Sequence, residues 1–146
     1  MLERVIEPML RAREYHALHR AMLGIVREVA TCRRLMTVPG VGALVAITCT
    51  SAIDDSGRFA RSRAVGAHFG LTPKKYQSGE TDVTGRISKV GDAMVRSALY
   101  LWAMAVAGRR GMKRAKVALA RKLASVLHRM WLDGTGFRFG KEVAAA

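Results

Sequence analysis

GLTPKKYQSGETDVTGRISKVGDAMVR, residues 70–96, is the stretch on which the reading of the whole chain turns. The segments on either side of it are apolar and repeat with a helical period. The stretch itself is polar and basic, with Ser78-Gly79 near its centre. Gly, Pro, Ser and Asp favour backbone geometry that a helix cannot supply. The segment is therefore a long connection between helices, and a short hairpin around Tyr76 to Val83 is one way to fold it. Long connections inside compact domains are uncommon and often functional. Lys74, Lys75, Arg86 and Lys89 surround Ser78, and a hydroxyl in a cationic, amide-rich loop suits a phosphate group. The plainer reading is a Ser-Gly turn beside solvated cations.

Downstream, Ile87-Ser88-Lys89-Val90-Gly91-Asp92 forms a second turn that leads into a helix. Ala93 to Ala107 is apolar nearly all round, with Leu99, Trp102 and Val106 among its large residues, so a core helix buried on most sides is expected. Gly108-Arg109-Arg110-Gly111 stops it. Lys113 to Leu132 is amphipathic, with Leu119, Leu123, Val126, Leu127 and Met130 as its apolar stripe and Asp133-Gly134 as its stop. Residues 109–141 hold ten basic side chains and one acid, Asp133. Signs this lopsided favour a phosphate-facing surface, with Arg121 and Lys122 in it, over an ordinary solvated face.

Upstream, Val38-Pro39-Gly40-Val41-Gly42 separates two helical runs, the pattern of a helix-hairpin-helix. The glycines let the hairpin backbone approach closely, and N–H groups at the following helix start bind DNA phosphate. Gly40 and Gly42 lack the third glycine and preceding strand of a dinucleotide fingerprint. Gly91 repeats the Val-Gly step, so two such hairpins would offer amides to phosphate. Asp54-Asp55-Ser56-Gly57 is a capped turn, and Phe59 to Phe69 is a predicted helix ended by Gly70 and Pro73. Residues 1–37 are predicted as one long helix. Its Tyr15, Leu18, Met22, Ile25, Val29, Cys32 and Met36 alternate in steps of three and four, a coiled-coil-like seam for a partner helix or for its own domain. The fold class expected is all-α: a helical domain with helix-hairpin-helix-like elements, a long coiled-coil-like helix before it, and one long loop carrying the serine.

The chain has 146 residues, half of them apolar and few aromatic, so it is long enough to bury a core and favours helix. Its 25 Lys and Arg against 11 Asp and Glu give a formal net charge of +14. Such an excess needs an anionic partner, nucleic acid first and an acidic membrane surface second. Cys32 and Cys49 show no zinc or disulfide pattern and fit a reducing cytosol. His16 and His19 lie three apart with no further ligand at metal spacing. The apolar runs are too short to span a bilayer, and Glu3, Arg4 and Glu7 interrupt any signal-peptide pattern.

Together these residues give a resemblance. Val38-Pro39-Gly40-Val41-Gly42, Arg58-Phe59, Phe69-Gly70-Leu71-Thr72-Pro73, Tyr76-Gln77-Ser78-Gly79, Gly85-Arg86-Ile87-Ser88-Lys89, Gly91-Asp92, Arg96 and Ala118-Leu119-Ala120-Arg121-Lys122-Leu123 follow one another in an order similar to the C-terminal domain of the DEDD-type insertion-sequence transposases. That family includes the Piv-type DNA invertases, and some members use a bridge RNA. The resemblance implies a serine nucleophile at Ser78 and DNA contacts at Gly40, Gly42, Lys74, Lys75, Arg86, Lys89, Gly91, Arg96, Arg121 and Lys122. It also implies an N-terminal RuvC-like nuclease domain whose four acids hold Mg²⁺. This sequence contains no such domain and no metal cage of its own. The expectation is therefore a truncated or split transposase that binds DNA. A structured guide RNA, a second copy, or a RuvC-like domain reached through the N-terminal helix would be its further partners. Its place would be the bacterial-type cytoplasm, with no membrane partner. The division expected is 1–37 for the coiled-coil-like helix, 38–140 for the DNA-binding serine domain and 141–146 for a tail. A non-catalytic helix-hairpin-helix module and an RNA-binding protein remain the other readings.

Overall fold

A computed structural model describes the backbone over residues 3–78, 81–107 and 113–138, with side chains over the same residues except 3–9, 75–78 and 81–84. Helices dominate. The order is α1 (Glu3–Glu28), α2 (Ala30–Leu35), α3 (Ala43–Ile53), a 3₁₀ turn (Ser56–Arg58), α4 (Ser62–His68), β1 (Pro73–Ser78), β2 (Thr81–Ile87), α5 (Ala93–Ala107) and α6 (Lys113–Asp133). The expected helical fold class holds, and the expected hairpin forms over a wider span than Tyr76 to Val83. Residues 108–112, where a stop was expected, and the tail 141–146 lie outside the described residues.

The core lies where α6 packs on α4 and α5, and where α3 packs on α5 and α2. Leu35, Ile53, Phe69, Leu71, Leu99 and Leu127 are its largest fully buried apolar side chains. On α6 the buried positions are Ala120, Leu123, Ala124, Leu127, His128 and Met130. Steps of three and four put these on one face, so the helix forms against the core. The end of α4 is a Schellman turn: Gly70 N–H donates to Ala67 O and Leu71 N–H to Gly66 O, both at 2.9 Å. That turn needs a left-handed residue, and Gly70 supplies it at φ +66° without a Cβ penalty.

Three sequence expectations need correction. The predicted helix over 1–37 is broken at Val29, whose backbone is extended (φ −79°, ψ 107°). A β-branched residue gives up helical geometry at lower cost than most. Beyond the break, Cys32 and Leu35 enter the core beside Val26, which also belongs to it. The seam is divided accordingly. Tyr15, Leu18 and Ile25 are exposed, Met22 is partly buried, and Cys32 is buried.

The second correction concerns α5, which is not buried all round. Val95, Ala98, Leu99 and Ala103 face α3 and α6, while Met94, Leu101, Met104 and Val106 are exposed. Among the described elements α3 and α6 are its main neighbours, and the side away from them is left uncovered. The third concerns Phe59 and Arg61, which are extended with Ala60 in a bend between them, so that α4 starts at Ser62. The Phe59 ring meets the rings of His68 and His128 edge-on, with centroids 5.1 and 5.6 Å away. Ser62 Oγ lies 3.0 Å from His128 Nδ1. These tertiary contacts override a local helical preference.

Candidate nucleic-acid interface

The first hairpin is pinned from behind and open in front. Trp102 Nε1 donates to Pro39 O at 3.0 Å, and a Cβ on Gly40 would stand 3.2 Å from that same nitrogen. Val41 N–H closes the turn on Val38 O at 3.0 Å. Gly42 then begins α3 with no side-chain cap. Helix starts leave N–H groups that the helix cannot satisfy, and here no side chain takes them. A Cβ on Gly42 would meet nothing within 4 Å, so space lies in front of those amides.

The second hairpin is built differently. Asp92 Oδ1 accepts from Met94 N–H at 2.7 Å and from Val95 N–H at 3.0 Å. The start of α5 is therefore already occupied by a carboxylate. Behind it, residues 88–91 are clasped to residues 68–72. Ser88 N–H donates to Thr72 O at 2.9 Å and Lys89 N–H to Gly70 O at 3.1 Å. Added Cβ atoms on Gly70 and Gly91 would run into the backbone of Val90 and of His68, respectively. Arg96 spans the clasp, donating from Nη1 to Phe69 O at 3.2 Å and to Val90 O at 3.4 Å. Gly91 and Arg96 thus hold the fold at this point. Lys89 is exposed on the rim with φ +56°, a left-handed geometry that costs a non-glycine residue energy.

From this clasp the two-stranded arm extends. Pro73 pairs with Ile87 at its base, Tyr76 with Val83, and Ser78 with Thr81 at its far end. An irregularity between Pro73 and Lys75 leaves an extra residue on β2 in the region of Gly85 and Arg86. At ~3.4 Å per residue, the backbone of Ser78 stands roughly 17 Å from Pro73. Lys74 and Arg86 are exposed near the base. The side chains of Lys75 and Ser78, and the whole of Gly79, lie outside the described residues.

Elsewhere on the body, Arg121 and Lys122 are exposed on α6. A Cβ on Gly66 would come within 2.6 Å of Arg121 Cγ, so α4 and α6 cross closely and the arginine stem lies on the glycine. An open groove of about 590 Å³ separates the start of α4 from α6, with Arg61, Arg63, Lys122 and Arg129 on its walls. Arg129 falls within the basic run 109–141 read as phosphate-facing, whereas Arg61 and Arg63 belong to no motif that sequence reasoning singled out. The buried His128 escaped it too, although its place eight residues after Ala120 on the buried face of α6 marks it.

The described residues offer no metal cage: no three His, Cys, Asp or Glu come together among them. Burial, with Cys32 nearby as the smaller cause, pushes the Cys49 thiol up to about 12, so it remains a protonated core side chain near pH 7. No helix of the described residues is long and apolar enough to cross a membrane.

Residues 32–120 match the Transposase IS116/IS110/IS902 family, a span that takes in both hairpins, the arm and α5. The transposase for insertion sequence element IS1111A of Coxiella burnetii is 35% identical over an alignment of 127 residues, covering 75% of this chain and 35% of that protein. A putative transposase, y4pF/y4sB, of Sinorhizobium fredii is 30% identical over 125, covering 73% of this chain and 32% of that protein. A probable family 20 transposase of Pseudomonas aeruginosa is 34% identical over 89, covering 61% and 26%. The chain thus spans about a third or less of the length of these curated relatives. With the match extending over more than half of its residues, the chain belongs to the IS116/IS110/IS902 transposase family.

Proposed function

We propose that this chain is the DNA-binding, serine-bearing C-terminal part of an insertion-sequence transposase, acting in DNA transposition or site-specific recombination. The observation that carries the reading is the place of Ser78: the last residue of β1, at the far end of a two-stranded arm whose base is clasped to the body. A residue so placed reaches a bound duplex without the body having to move. The open start of α3 and the exposed Lys74, Arg86 and Lys89 around the arm's base support a phosphate-rich substrate.

The chemistry is a transesterification. Ser78 Oγ attacks a DNA phosphorus, an Oγ–P bond forms as a P–O ester bond breaks, and the hydroxyl proton ends on the leaving oxygen. One ester replaces another, so the DNA end is held without an external energy source. A neutral hydroxyl is a weak nucleophile, and charge on the transferring group must be offset. Lys74, Lys75 and Arg86 supply charge. The described acids do not fit a Mg²⁺ pair, since no three come together, and no step here is routed through one. Activation falls to a RuvC-like domain, which the proposal makes a partner together with any guide RNA. Residues 38–140 are the working unit in this reading. The exposed Tyr15, Leu18, Ile25 and Val29 of the α1 region supply a stripe for a second copy or for that domain.

The test supplies this chain with DNA ends, a compatible RuvC-like domain and any guide RNA. A covalent protein–DNA adduct is expected on Ser78 by peptide mass spectrometry, and Ser78→Ala abolishes it while duplex affinity stays within about twofold. Ser88→Ala, in the clasp, keeps the adduct. An adduct on Ser88 or Tyr76, or one that survives Ser78→Ala, refutes the assignment. DNA binding with no adduct at all favours the non-catalytic module instead.

A further inference from the structure

We propose that the open groove between α4 and α6 is a track for the phosphate backbone of duplex DNA, gripped by Arg61 and Arg63 from one wall and by Lys122 and Arg129 from the other. This deepens the DNA-binding reading above and rests on it. The groove is about 590 Å³ and shallow, with Ala60, Val126 and Leu132 along it and no acid among its lining residues. Cations on a solvated helix face ordinarily point apart. Here two helices bring them to the sides of one concavity, where fields of one sign add over low-dielectric walls. The nearest complication is Asp133, whose Oδ2 sits 2.7 Å from Arg129 Nε and partly neutralises that corner.

The walls are fixed by buried contacts. His128 is fully buried and spans the 3₁₀ turn and the start of α4. Its Nε2–H donates to Ser56 O at 2.9 Å, and its Nδ1 lies 3.0 Å from the Ser62 hydroxyl oxygen. Gly66 lets the Arg121 stem lie against α4, which sets a close crossing of the two helices. The spacing of the four cations is therefore built into the core.

The hydroxyls decide what kind of ligand the groove reads. Ser62 Oγ is engaged with His128 Nδ1, and Ser125 Oγ donates to Arg121 O at 3.2 Å. The groove offers charge with little directional hydrogen bonding. Contacts of that kind position a backbone and carry no base sequence. Telling RNA from DNA requires contacts to the 2′-hydroxyl, and the hydroxyls of the two serines that line the groove are both already engaged within the protein.

The experiment measures binding of the full chain to a short fluorescent duplex of random sequence across a salt series. Each phosphate neutralised contributes about 0.9 to the slope of log K against log salt. Arg61→Ala with Arg63→Ala should flatten that slope by roughly 1.8, and Lys122→Ala alone by about 0.9. The same loss of charge on the exposed helix α1, by Arg13→Ala with Arg20→Ala, should leave the slope in place. Asp133→Asn, which releases Arg129, should raise low-salt affinity roughly threefold, in proportion to the small worth of an exposed ion pair. A gain cannot arise from misfolding. The proposal falls if the groove pair moves the slope no more than the α1 pair, or if Asp133→Asn brings no gain. It also falls if the groove variants weaken binding to a structured RNA hairpin while duplex binding is unmoved. Wild-type chain that fails to bind duplex at low salt would overturn the wider DNA reading as well. Wild-type binding with an unmoved slope overturns the groove alone.

Discussion

Two Val-Gly steps precede two helices in this chain, Val41-Gly42 before α3 and Val90-Gly91 before α5, and one residue separates their chemistry. After Gly91 comes Asp92, whose carboxylate takes the first free amides of α5. Gly42 stands directly at the start of α3 and takes none. A helix start carries about half a positive charge. In α5 that charge is spent inside the protein, and in α3 it remains for an anion from outside. The backs of the two turns differ as well. The first is held by one indole N–H on Pro39 O. The second is held by backbone against backbone, with Arg96 across it. A repeated short motif is therefore left uncapped and open in one place and is capped and clasped into the fold in the other.

The largest effect should come from filling the clasp. Gly91→Ala puts a Cβ against His68 O at φ +88°, and Gly70→Ala puts one against Val90 at φ +66°. In both cases the obstacle is main chain and cannot rotate away. Each is expected to cost about 3 kcal/mol or more, read as a lower denaturant midpoint. Gly42→Ala should stay within about 1 kcal/mol of wild type, because φ is −93° and nothing lies near the new methyl. If the two classes destabilise equally, the contrast between the hairpins is wrong.

Next in size is converting the first hairpin into a copy of the second. Gly42→Asp gives α3 the cap it lacks, so stability should rise by a few tenths of a kcal/mol. DNA affinity at low salt should fall roughly tenfold, about 1.4 kcal/mol, because the carboxylate takes the amides and repels phosphate. Stability and affinity moving in opposite directions is the signature. A variant that binds as wild type does would show that the α3 start is not a phosphate site.

Much of this was legible before any coordinates. Gly70 and Asp133-Gly134 mark helix ends because a left-handed residue has few substitutes there, and the polar run that follows Gly70 signals a connection that is not helical. Other features carry no local mark. No Gly or Pro announces the break at Val29; it follows from Val26, Cys32 and Leu35 all entering one core. The exposed side of α5 is set by how the helices pack around it, which its largely apolar sequence does not encode. Gly91 and Arg96 looked like ligand contacts because glycine and arginine suit both tasks. Only the approach of residues 68–72, over twenty positions away, gives them a structural one. Asp92 is readable as a cap from its place before α5.

The smallest effect is also the most discriminating. Asp92→Ala removes the cap of α5 and leaves the amides of Met94 and Val95 without a side-chain partner. Loss of a cap of this type costs about 1 kcal/mol, well below the clasp variants, so the protein should still fold. The freed helix start lies on the exposed rim beside Lys89, since Asp92, Ala93 and Met94 are all exposed. The variant chain also loses one negative charge next to a lysine. Duplex affinity at low salt should therefore rise by roughly twofold to fivefold, the range that about 0.4–1 kcal/mol at a helix start allows. Moderate salt should remove most of the gain, because the added term is electrostatic and exposed. Anisotropy at two salt concentrations, with a denaturant melt on the same sample, reads both effects. If Asp92→Ala lowers affinity while stability falls by only the expected amount, the carboxylate orders a surface that DNA uses. The capped and uncapped hairpins would then be two halves of one interface, not a binding element and a folding element.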